Sequence, residues 1–297
     1  MNELRLTETV HPTRDGLKEY DGLLGIDAIK EAVTDELTMI LDRKRLDAWS
    51  KRHHPDGLGM LDITRSTLPL ILLSGDVGCG KTALASCVAT PLAKTLDKRI
   101  VCLESPSNIR GGGHVGELSS RVTETFTQVK TKAAAVGCGI LIIDEADDLA
   151  TSRGQMQAHH EDRAGVNVLI KQIDQLADCP TPIAVIMITN RADVLDPAVR
   201  RRAALHLNFE RPDDAARAAV FARILKGTKV SEKELLELVK LTRGSIPYTF
   251  SDLKDRIARL ALRRAWKSNK PFGFDILKAA IADVEPSPLM EGATLHR

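Results

Sequence analysis

The run "PLILLSGDVGCGKT", residues 69–82, constrains this chain more than any other stretch. An uninterrupted apolar segment ending in glycine reads as a strand buried on both faces, as in parallel sheets. The eight residues from Gly75 to Thr82 then fit G-x-x-x-x-G-K-[ST]. Glycines let main-chain N–H groups close around phosphate oxygens, and a helix starting near Lys81 adds the positive end of its dipole. In this spacing Lys81 neutralises the β and γ phosphates and the Thr82 hydroxyl ligates magnesium. The strand before and the helix after weigh against the alternative, a glycine turn that merely ends a strand. Gly75, Asp76, Val77, Gly78, Cys79, Gly80, Lys81, Thr82 and Ala83 are therefore the expected nucleotide cradle, with ATP and Mg2+ as cofactors.

Three further apolar runs have the same texture: "RIVCLES" (99–105), "GILIIDE" (139–145) and "IAVIMITN" (183–190). Helix-length segments at 81–95, 116–135 and 164–177 lie between them, and residues 21–47 carry Ile26, Ile29, Val33, Leu37, Ile40 and Leu41 at helical spacing. Strands alternating with helices predict an α/β fold, a parallel sheet sandwiched by helices. After "FERPD" only helical patterns follow, among them "SEKELLELVKL" with Ser231 and Glu234 at capping-box spacing. The expected organisation is an N-terminal arm (1–20), a large α/β P-loop domain (21–210), a small all-helical lid (211–285) and a tail (286–297).

Composition excludes several classes. The net charge of +2 is too small to imply a nucleic-acid or membrane surface. No apolar run approaches the ~18 residues of a membrane span, and the N-terminus does not resemble a signal peptide. Five cysteines, scattered and never spaced C-x-x-C, predict reduced thiols and a cytoplasmic location.

Two strand ends supply polar groups. Asp144, just past "GILII", stands where ligands bind in open α/β sheets and can hold the metal's hydration shell. Glu145 beside it can orient and activate an attacking water; the bland reading is a pair of solvated acids. Asp147 and Asp148 read as caps of the next turn. Asn190, ending "VIMITN", can hydrogen-bond the γ-phosphate and the lytic water, although asparagine at a strand end is often a turn residue.

The stretch "LDPAVRRRAALHL" places Arg200, Arg201 and Arg202 side by side, with only Asp196 as an acidic neighbour within four residues. Three adjacent cations need a counter-charge from elsewhere, or they form a solvated basic helix end facing acids of their own subunit. The order of P-loop, "IIDEADDL", "ITNRADVLDPAVRRR" and helical lid resembles the AAA+ ATPases over residues 21–284. The resemblance implies a ring, a homohexamer, in which arginines after the "DPA" turn reach the neighbour's γ-phosphate. Arg202 is the first choice and Arg201 the second, with Arg200 a helper. The resemblance also makes the backbone of Gly25 and Ile26, within "GLLGID", the adenine contact; an ordinary helix entry fits those residues equally well.

Within that group, "RAGVNVLIKQIDQL" (163–176) and Arg202-Ala203 resemble the pachytene-checkpoint class, remodellers of HORMA-domain proteins, in their compact bacterial antiphage-operon form. The partner implied is a HORMA protein, alone or bound to a nucleotidyltransferase that makes a cyclic-oligonucleotide signal. The pore loop would be "GGGHVGEL", with His114 and Val115 against the substrate where most unfoldases place an aromatic; an idle surface histidine is the plain alternative. A second pore loop would lie within 151–163. At the lid position of the family's phosphate-contacting arginine stands Ser251, with Lys254 and Arg256 nearby. Two other functions stay in view, a general AAA+ unfoldase and an ATP-regulated nucleic-acid switch. The near-neutral charge and lack of an appended DNA-binding module count against the second.

Overall fold

The computed structural model describes residues 4–61, 68–106, 116–149 and 160–289, with side chains of 160–163 excepted. His114 and Val115, and residues 151–159 of the second pore segment, lie outside them. The chain divides into two compact units. One comprises described residues within 1–20, 28–74 and 82–208; the other those within 21–27, 75–81 and 209–297.

The first unit is built on a six-stranded sheet: β1 (Thr7–His11), β2 (Leu70–Gly75), β3 (Ile100–Glu104), β4 (Gly139–Ile143), β5 (Ile183–Ile188) and β6 (Ala203–Phe209), in the order β1-β3-β4-β5-β2-β6. The four apolar runs are its centre. β3 pairs parallel with β4, β4 with β5 and β5 with β2. Both faces of these strands are buried, which is why they read as continuous apolar runs rather than alternating ones. On one face Leu70, Leu72, Leu103, Leu141, Ile143, Val185 and Met187 join Phe126 and Val129 of the helix Glu117–Val136 and Leu169 and Ile173 of the helix His160–Asp174. The helix Ala89–Leu96 packs against β1 and β3.

The two edge strands are absent from the sequence reading. β1 lies inside the expected arm and runs antiparallel to β3, with Thr9 opposite Cys102. Its sequence, "TETVH", is mostly exposed, so it carries no apolar signal. His11 is buried and its Nδ1 meets Thr90 Oγ1 at 2.8 Å. β6 follows the arginine cluster; next to β2, its His206 Nε2 meets Ser74 Oγ at 2.8 Å. The sheet is therefore mixed at the β1 edge rather than wholly parallel.

The second unit holds the helices Asp214–Ile224, Glu232–Leu241, Arg259–Lys267 and Phe274–Ala282, with a π-helical stretch at Asp252–Ala258. Asp213 caps the first of these by accepting from Ala216 N at 2.7 Å. Ser231 and Glu234 form the expected capping box. The segments 21–27 and 75–81 belong to this unit, so the glycine-rich loop groups with these helices rather than with the sheet that precedes it in sequence.

Candidate nucleotide site

In the first unit, two strand ends and the first turn of the helix Lys81–Cys87 carry polar side chains. Thr82 Oγ1 donates to Asp144 Oδ2 at 2.8 Å, so the two expected magnesium ligands already face one another. Asp144 Oδ1 accepts from the main-chain N–H of Glu145 at 2.8 Å, which fixes the carboxylate plane. A hydroxyl and a carboxylate form an all-oxygen donor set suited to a hard divalent cation. Glu145 is exposed and has φ +52°, left-handed backbone that a residue with a Cβ rarely adopts. Such strain persists where a site requires a particular side-chain direction.

Asn190 follows β5 and is half-buried. Its neighbour Thr189 is buried and donates from Oγ1 to Asp147 Oδ1 at 2.7 Å, then accepts from Arg191 N at 2.9 Å. The turn holding Asn190 is thereby tied to the segment that follows β4. Sequence reasoning gave Asp147 only a capping role and missed this link. The sole hint was an acid two residues beyond Glu145.

The arginines separate. Pro197 and an Asp196 carboxylate that accepts from Ala198 N at 2.8 Å start a one-turn helix, Pro197–Arg200. Arg200 and Arg201 are exposed. Arg202 donates through Nε and Nη2 to the two oxygens of Asp174, at 2.7 and 3.0 Å, and through Nη1 to the Ala198 carbonyl at 3.0 Å. The hydrogen bond that Arg202 donates to Asp174 raises the Arg202 pKa, so the guanidinium stays charged. One of the three cations thus has a counter-charge in its own chain, at the end of the helix His160–Asp174, 28 residues back in sequence.

In the second unit, the glycine-rich loop is held by a charge network. Lys81 is buried, and its Nζ donates to the carbonyls of Gly75 (2.9 Å) and Asp76 (2.7 Å). Gly75 has φ +126°, and a Cβ there would lie 2.1 Å from the Phe209 carbonyl oxygen, so only glycine fits. Ser251 N donates to the Gly78 carbonyl at 3.1 Å. Ser251, the residue expected at the family's lid-arginine position, thus meets the loop through its backbone. Lys254 donates to the Gly22 carbonyl at 3.2 Å and Arg256 to Asp252 at 2.6 Å. Gly25, with φ +75°, abuts Ala216: a Cβ would come within 2.4 Å of that methyl group. Ile26 is buried beside it in sequence. Burial, followed by the nearby Asp76 carboxylate, pushes the Cys79 thiol up to about 12, so it is an inert part of the loop.

Arg211 was not singled out from sequence. Its Nε donates to Asp76 Oδ2 at 2.6 Å, Nη1 to the carbonyls of Pro247 (2.6 Å) and Ser287 (2.8 Å), and Nη2 to that of Pro288 (2.8 Å). Arg211 and Asp76 are 135 residues apart, and no local spacing announces the pair.

Residues 71–211 match the model of the ATPase family associated with various cellular activities (AAA). CD-NTase-associated protein 6 of Escherichia coli (strain KTE188) is 35% identical over 283 residues, 94% of this chain and 95% of that protein. The chain belongs to the AAA ATPase family. This AAA ATPase also matches solved structures along nearly its whole length. A chain in the structure of the E. coli MS115-1 HORMA:CdnC:Trip13 complex is 34% identical with a TM-score of 0.89, covering 96% of this chain and 97% of that one. Rhizobiales Trip13 is 32% identical with a TM-score of 0.72, covering 95% and 98%. ATP hydrolysis is the activity of the family, and the AAA ATPase is an enzyme of that kind. Among the described residues no helix is long and apolar enough to cross a membrane.

Proposed function

We propose that this AAA ATPase assembles into a homohexameric ring in the cytoplasm and remodels a HORMA-domain protein, resetting its complex with a nucleotidyltransferase. The observation that carries the reading is the likeness, over almost the full length of both chains, to a protein solved in a HORMA:CdnC:Trip13 complex. In the same reading the sheet unit is the catalytic core, the helices within 211–285 form the lid, and Gly25 and Ile26 flank the base.

The chemistry proposed uses the residues described. Main-chain N–H groups of Gly75–Lys81 hold phosphate oxygens and Lys81 adds its charge. The Thr82 hydroxyl and Asp144 carboxylate would hold magnesium, which when bound neutralises charge on the β and γ phosphates. Glu145 accepts a proton from, and aims, the attacking water. Asn190, steadied through Thr189 and Asp147, donates its amide N–H to the γ-phosphate. Arg201 and Arg202 are offered to the adjoining subunit, with Asp174 fixing the direction of Arg202. A trans arginine supplies roughly 10³–10⁵ in rate, so Arg202→Ala should keep ATP binding and lose nearly all turnover.

The test is a trap. Glu145→Gln should bind ATP, sediment as a hexamer and retain the HORMA protein in a pull-down, releasing it when ATP is removed. A Glu145→Gln protein that assembles and binds ATP yet holds no HORMA protein overturns the substrate reading; equal capture of unrelated unfolded proteins favours a general unfoldase.

A further inference from the structure

The phosphate loop contains its own anion. Asp76 is the second residue of the glycine-rich loop, its side chain is buried, and beside it the loop must receive a polyphosphate of the same sign. Left alone, a desolvated carboxylate would oppose phosphate binding in a setting where water screens little. The side chain of Arg211, itself only 4% exposed, answers this charge at 2.6 Å. Asp76 Oδ1 also accepts from Val77 N at 2.9 Å, and Asp76 N donates to the Phe209 carbonyl at 3.3 Å, so the pair sets the path of the loop's first residues.

The remaining bonds of Arg211 link the loop to the far end of the chain. Its Nη atoms are held by the carbonyls of Pro247, Ser287 and Pro288. That C-terminal segment is seated by Asp252, which accepts from Ser287 N at 3.0 Å and from Ser287 Oγ at 2.7 Å. Asp252 also accepts from Thr249 N at 3.0 Å, two residues before Ser251, whose N–H meets Gly78. A continuous chain of hydrogen bonds therefore runs from the phosphate loop through Arg211 to Ser287 and back through Asp252.

We propose that Arg211 is a positioning residue for nucleotide: it neutralises the carboxylate inside the phosphate loop, and it makes phosphate affinity depend on the seating of the segment around Ser287. The proposal rests on reading Gly75–Thr82 as the phosphate loop. An arginine fits the role because its planar fork satisfies one carboxylate and three carbonyls at once, which a lysine cannot do. Nothing in the loop motif requires an acid at its second position, so the acid and its distant partner act as a unit.

The experiment measures ATP affinity of the full-length protein, in magnesium, by displacement of a fluorescent ATP analogue, with circular dichroism checking each fold. Arg211→Gln should weaken ATP by at least about tenfold, or about 1.4 kcal/mol, because Asp76 loses its counter-charge. Asp76→Asn combined with Arg211→Gln should bind ATP within about threefold of Asp76→Asn alone, since a neutral residue no longer needs the arginine. Ser287→Pro, which removes both donors to Asp252, should weaken ATP severalfold in the native background and not in the Asp76→Asn background. A purely structural role for Arg211 would give equal losses with and without Asp76, and that result overturns the proposal, as does wild-type affinity in Arg211→Gln. Should Arg211→Gln not fold alone, the double variant and the Ser287→Pro pair decide by the same criterion. Lys81→Ala is the separate control: undiminished ATP binding there defeats the phosphate-loop reading itself, whatever Arg211 does.

Discussion

Asp252 should make the second unit acid-labile, and the size of the effect follows from its surroundings. The carboxylate is fully buried and accepts from Thr249 N, Ser287 N, Ser287 Oγ and Arg256 Nη1. Burial alone would raise its pKa. The amide hydrogen bonds from Ser287 and Thr249, then the Ser287 hydroxyl and Arg256, outweigh it and bring the group from 3.8 down to about 2. Arg256 is largely exposed, so the amide donors contribute more than the ion pair. A shift of this size stabilises the folded state by about 2 kcal/mol at neutral pH. Because the folded pKa is depressed, the contribution is complete above about pH 4 and disappears as pH falls towards 2. Asp252→Asn removes the charge and turns an NH₂ group towards donors, so it should lower stability by about 2–4 kcal/mol at pH 7. Urea unfolding followed by circular dichroism, for both proteins between pH 7 and 2.5, measures the gap. The gap should be constant down to about pH 5 and narrow by about 1.5 kcal/mol at pH 2.5. A gap that stays the same across that range would refute the assignment of the stabilisation to the ionised form.

Phe126→Ala should cost about 3–5 kcal/mol, because the ring is buried between sheet and helices; a loss under about 1 kcal/mol in chemical denaturation would contradict that packing. Thiol accessibility gives a second check. Cys79 and Cys87 are pushed up to about 12 and about 11, chiefly by burial, and Cys102 and Cys138 are also raised by burial. A chromogenic disulfide reagent at pH 8 should therefore label Cys179 first in the folded protein and all five thiols only in denaturant. Rapid labelling of Cys79 in the native state would show that the loop is not packed as described.

The centre of the fold was legible because it is written locally. A strand buried on both faces must be apolar throughout, and a phosphate loop must place glycines at fixed intervals, so "PLILLSGDVGCGKT" carries both facts in fourteen residues. The positions of Asp144 and Glu145 followed from the same reasoning, since strand ends are where buried texture stops. The edges were not legible. β1 and β6 alternate weakly or are exposed, and their pairing is decided by β3 and β2 rather than by their own composition. Side-chain partners were least legible of all. Arg202 meets Asp174, Asp147 meets Thr189 and Arg211 meets Asp76 across 28, 42 and 135 residues, and sequence periodicity says nothing at such separations. Sequence alone accordingly offers the ranked arginines no named partner in their own chain, whereas the fold gives Arg202 one in Asp174.

The left-handed backbone at Glu145 sets activity against robustness. Glycine at that position would relieve roughly 1 kcal/mol of conformational energy and raise the melting temperature, while deleting the carboxylate proposed to serve the water. The fold thus carries a local conformational cost at Glu145, in the backbone that aims this carboxylate.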